Sequence, residues 1–148
     1  MANKYLELKA KHQQEVDDFP MFFAFSESQF EEGMKKLGLK PTDTKLIYKL
    51  GSTGGFYRKS DSQALKDMFL RHRQEQADAI AADKTGKGYI YDMFNYELAN
   101  HEYAYTGDLE PTLDALGLTI EEVRADERMK NALEKACKAQ IDWDAENN

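Results

Sequence analysis

Tyr5, Leu8, His12 and Val16 recur at near-helical spacing and predict an amphipathic helix over about residues 3–18. Phe19-Pro20 stops it, because proline disfavours helical geometry in the residue before it. Met21 to Phe25 is a short apolar run of the kind a buried strand carries. Ser26 with Gln29 three residues later is a capping-box signature, opening a helix through Phe30, Met34 and Leu37 that Gly38 ends. Lys45 to Leu50 reads as a strand, Gly51-Ser52-Thr53-Gly54-Gly55 as a turn, and Phe56 to Lys59 as the returning strand.

Ser60 or Asp61 caps a long helix to about Ala82, with Leu65, Met68, Phe69 and His72 on one side. A helix from about Tyr91 to Tyr105 follows, then a short one from Asp108 or Glu110 to Gly117. Thr119 and Glu122 form a second capping box and open the last helix, whose inner stripe is Ile120, Val123, Leu133, Ala136, Cys137 and Ile141. The pattern predicts an α+β fold, a small antiparallel sheet of about three strands flanked by five or six helices. With no internal repeat and no linker composition, one domain is expected over 1–148, its tail fraying from about 143.

Composition narrows the class. A single cysteine, Cys137, rules out an internal disulfide framework, points to a reducing compartment and sits on an apolar stripe as an inert thiol. No apolar run approaches the ~18–20 residues that span a bilayer, and the opening MANKYLELKAKHQQEVDDF lacks a signal-peptide core, so a cytoplasmic, membrane-free protein is expected. Net charge is −7, unevenly spread: residues 31–75 carry ten Lys/Arg against six Asp/Glu, and residues 76–148 seven against sixteen. That asymmetry argues against the whole molecule coating nucleic acid and leaves a local contact through the middle.

Candidate chemistry is sparse. Asp83-Lys84-Thr85-Gly86-Lys87-Gly88-Tyr89-Ile90 has the spacing of an EF-hand calcium loop, with Asp83 at its first position and Gly88 at its sixth. Lys87 and Phe94, however, stand where the fifth- and twelfth-position oxygens belong, so no metal is expected there. The glycines of 51–55 lead into a strand rather than a Gly-Lys-Ser/Thr helix opening, which makes them a hairpin turn and not a phosphate loop. Of His12, His72 and His101, the last follows the Glu97 carboxylate by four residues, and one such pair without a matching motif elsewhere is no metal site. Leu113 to Val123 has the cadence of a helix-turn-helix, but its second helix opens on carboxylates that would face phosphates. No nucleophile elbow or other catalytic constellation is present, so neither enzyme activity nor a cofactor is expected.

Five of the eight tyrosines lie within residues 83–110, interleaved with carboxylates. On a continuous 91–105 helix, Tyr96 and Tyr103 share the side opposite Phe94 and Leu98, with Asp92 and Glu102 nearby, as a partner-binding surface would. The alternative is a nucleic-acid contact through Lys45, Lys49, Arg58, Lys59, Arg71 and Arg73, with Tyr48 and Tyr57 available for stacking.

Three blocks, FPMFFAFSESQFEEGMKKLGL, YKLGSTGGFYRKSD and IAADKTGKGYIYDMFNYELANHEYAYTGDLEPTLDALGLTIEEV, resemble a functionally uncharacterised family of small proteins of phages and conjugative elements of gut bacteria. The resemblance transfers no catalytic or binding residue. It implies a mobile-element accessory protein that binds a host protein or nucleoprotein, some such proteins being inhibitors of CRISPR or restriction nucleases.

Overall fold

A computed structural model describes residues 3–148. Eight α-helices are found among them, with one three-stranded antiparallel sheet, an α+β architecture. The chain divides into two compact units: residues 12–74, and residues 1–11 together with 75–148, the boundaries falling within two helices, α1 (Lys4–Asp18) and α3 (Ser62–Ala82). The charge asymmetry follows this division. Residues 12–74 carry ten Lys/Arg against nine Asp/Glu, whereas the other unit carries ten against eighteen.

The 12–74 unit holds the sheet, with strands β1 (Met21–Phe23), β2 (Ile47–Leu50) and β3 (Gly55–Arg58) in the order β1-β3-β2. Registers Phe22↔Phe56 and Tyr48↔Tyr57 set the two faces. One face presents Phe22 and Phe56 to α2 (Glu27–Lys36), where Phe22, Met34 and Leu37 form a buried cluster. The other packs Met21, Leu50 and Tyr57 on Leu65 and Met68 of α3. Ser26 caps α2 by accepting from the Gln29 amide at 3.3 Å, and the Gln29 side chain turns back to the Phe25 amide at 2.7 Å. Gly38 closes the helix at φ 76, a conformation that only glycine adopts without cost. Lys45 and Leu46, expected as strand, belong instead to a turn of 3-10 helix, Thr44–Leu46.

The other unit is helical: α4 (Tyr89–Asn100), α5 (Tyr103–Thr106), α6 (Glu110–Leu116), α7 (Ile120–Arg124) and α8 (Glu127–Asn147), with the ends of α1 and α3. Its core gathers Ile90, Met93, Phe94, Leu98, Val123, Leu133 and Ala136, with Tyr5 and Tyr89. Three sequence expectations change here. The 91–105 helix is two helices, broken at Glu102, which takes a left-handed φ of 57. The last helix is also two, because Asp126 caps a new start by accepting from the Arg128 and Met129 amides. Residues 143–147, expected to fray, belong to α8. No helix among the described residues is long and apolar enough to cross a membrane.

Candidate partner-binding surface

The break at Glu102 decides where the tyrosines go. Tyr103 and Tyr105 leave the α4 axis and enter α5, which packs on α8. The Cys137 thiol of α8, followed by burial, pushes the Tyr103 phenol beside it above its ordinary pKa. The ring is half-buried. Tyr105 by contrast is 90% exposed, and Trp143 of α8 is 61% exposed. The two aromatics, with Glu102, Tyr103, Gln140 and Asp144, line a cleft of about 580 Å³. These large aromatics, rimmed by carboxylates, lie outside the core, and nothing within the unit covers them. Tyr105 and Trp143 were not singled out by sequence. Tyr105 is one of five tyrosines in its stretch and ends the expected 91–105 helix, and Trp143 falls in the expected frayed tail.

Tyr96 and Asp92 stand apart from this cleft. Tyr96 remains on α4, half-buried, 5.9 Å from the Tyr5 ring and beneath the Lys9 ammonium at 5.7 Å. It borders a buried polar knot centred on Glu97, which is 2% exposed. The Tyr5 hydroxyl donates to the Glu97 carboxylate, and Asn100 Nδ2 donates to it at 3.4 Å. Lys9 Nζ lies at 3.4 Å and His101 Nε2 at 3.7 Å. Burial, then the bond to Glu97, drives the Tyr5 phenol far above its normal pKa. The Glu97–His101 pair thus serves to tie α1 to α4, with Tyr5 and Lys9 as partners that helical spacing within α4 could not reveal. Asp92 is half-buried on a second cleft of about 750 Å³, beside Tyr89, Asp83 and Lys84. Burial, and then Asp83, raises its carboxyl. Tyr89 is buried in the same wall, which pushes its hydroxyl up to about 12.

In the EF-hand-like loop, Asp83 accepts from the amides of Gly86 at 3.0 Å, Gly88 at 3.1 Å and Ile90 at 3.0 Å. Burial opposes its charge, and these backbone bonds outweigh burial, so its carboxyl lies below the ordinary range. Arg128 of α8 fixes the loop from outside, donating to the Ile80 carbonyl at 2.9 Å and the Asp83 carbonyl at 2.6 Å. No group of three or more potential ligands is gathered among the described residues.

The six cations of the middle segment separate. Arg58 is bound to Asp61 at 2.8 Å and to the Leu37 carbonyl at 3.2 Å. Arg71 is paired with Glu15, whose carboxyl is held down at about 2 by that bond first and by His72 after burial has worked against it. His72 stacks on His12 with ring centroids 3.9 Å apart. Lys45, Lys49 and Arg73 are exposed. So is Lys59, whose Nζ sits 5.0 Å above the Tyr48 ring.

One family model matches residues 4–139; it describes a family of unknown function, DUF7659. No curated protein and no solved structure matches the chain.

Proposed function

Because the chain belongs to this family of unknown function, its geometry must carry the functional reading, and we propose that it is a non-enzymatic protein that docks on a basic macromolecular partner through the α5–α8 cleft. The observation behind this reading is the pairing of Tyr105 and Trp143, both largely exposed, with Glu102 and Asp144 in one concavity. The unit that bears them has eight more carboxylates than cations, which attracts a basic surface over several ångströms and repels nucleic acid. Glu102 adds a second support. A glutamate held at φ 57 costs about 1 kcal/mol, and strain of this kind concentrates where a side chain is aimed for function. The partner best matched to such a surface is the basic nucleic-acid groove of a protein. The resemblance to phage and conjugative-element proteins makes a host defence nuclease the class to examine first, with the protein as its inhibitor.

Affinity capture from a bacterial host tests this reading. The partner retained should carry a basic groove, elute with salt and be lost with Tyr105→Ala/Trp143→Ala. Truncating one such aromatic anchor is expected to cost about 2 kcal/mol, roughly thirtyfold in affinity. Tyr96→Ala should leave capture intact. Retention by the double variant equal to that of the parent protein would refute the assignment of the cleft.

A further inference from the structure

The 12–74 unit carries a second surface of opposite chemistry, independent of the cleft. Residues 44–60 contain four cations, Lys45, Lys49, Arg58 and Lys59, and no carboxylate. Arg58 is engaged by Asp61, which leaves three exposed lysines around the β2–β3 hairpin. Aromatic rings stand among them. Tyr48 on edge strand β2 is 47% exposed, with its ring 5.9 Å from Tyr57 and the Lys59 ammonium above it. Tyr57 in turn packs on the Met21, Leu65 and Met68 cluster, so Tyr48 rests on a fixed wall. Phe23 is 49% exposed and Phe25 is 79% exposed, yet both are seated on the hairpin. A Cβ on Gly54 would come within 2.5 Å of the Phe25 ring, and one on Gly55 within 2.9 Å of Phe23. The hairpin glycines therefore do more than turn the chain: they make room for two rings that remain open to solvent.

Exposed rings held in place beside cations free of carboxylates form the arrangement that single-stranded nucleic acid requires. Bases stack on the rings irrespective of sequence, and lysines follow the phosphates. We infer that the β2–β3 hairpin is a single-strand binding platform, with Tyr48 as the stacking residue and Lys45 and Lys59 as the phosphate contacts; Lys49, paired with Phe56, faces the opposite side of the sheet. A membrane surface would also attract lysines, but the exposed rings beside them offer faces on which bases stack, the Lys59 ammonium leaving the Tyr48 ring for a phosphate as a base takes its place.

Fluorescence anisotropy of a labelled oligo-dT, with the full chain at low and raised salt, tests the platform. Binding should weaken with salt, the logarithmic slope being about −1.4 for two lysines at ~0.7 each. Lys45→Ala, an exposed change that leaves the fold intact, should reduce that slope by roughly 0.7, and Lys49→Ala should leave it unchanged. Tyr48→Ala should weaken binding at least about fivefold, and Tyr48→Phe, which keeps the ring, should restore it. Absence of binding at low salt would overturn the inference. So would affinity unchanged in both Lys45→Ala and Tyr48→Ala, a preference for duplex, or binding only to phosphatidylserine vesicles. None of these readouts involves Trp143, so the platform and the acidic cleft stand or fall separately.

Discussion

Glu102 shows how much one residue decides. Its left-handed backbone ends α4, swings Tyr103 onto Cys137 and leaves Tyr105 in solvent. Glu102→Gly is expected to raise stability by about 1 kcal/mol, read as a higher melting temperature, while weakening partner capture through the lost carboxylate. A variant that melts lower would show that the conformation carries no strain. Gly86 is the opposite case: it needs its φ of 77, and a Cβ there would stand 2.7 Å from the Arg128 carbonyl. Gly86→Ala should cost about 2 kcal/mol or more in denaturant unfolding. Glu15 gives a pH signature. Its folded carboxyl titrates at about 2 against an ordinary 4.5, so its contribution is complete above about 4.5 and is lost as pH falls through about 2. The melting-temperature gap between the parent protein and Glu15→Gln should therefore close on acidification; a gap independent of pH would contradict the pairing with Arg71. Neither the Glu102 turn nor the Glu15 pair is legible in sequence. Glutamate carries no signal for a left-handed backbone, and a contact between α1 and α3 spans 56 residues.

At the scale of elements, local signals transmitted well. The Ser26 and Thr119 caps, the Gly38 and Gly117 stops and the glycine hairpin all lie where side-chain chemistry puts them. The errors came where tertiary contacts overrode a continuous helical pattern, at 101–102 and at 125–126. Sequence also hid the price of close packing between β1 and α2. A Cβ on Gly33, in mid-helix where alanine is normally preferred, would overlap the Phe22 ring. Gly33→Ala is expected to destabilise by about 1–3 kcal/mol despite its better helix propensity, as chemical denaturation would report. A stabilised variant would mean that Phe22 can move aside. Likewise the α1–α4 tie depends on Tyr5: Tyr5→Phe leaves a buried carboxylate short of its donor, a loss of about 1–3 kcal/mol by the same measurement.

Across the whole molecule, charge partitions with the two compact units, while exposed aromatics occur in both. Of the residues that the tyrosine-rich stretch points to, Tyr103 and Glu102 line the cleft. Tyr96 and Asp92 do not, because a periodicity argument cannot see α1 covering one or a second cleft receiving the other. Trp143 is the chain's sole tryptophan and lies in the cleft wall, so its emission reports docking without a label. Titration with an arginine-rich peptide, a surrogate for a basic groove, should shift that emission saturably, less at high salt, and not at all in Glu102→Lys/Asp144→Lys. Emission indifferent to the peptide, or a shift equal in the charge-reversed variant, would contradict the docking function.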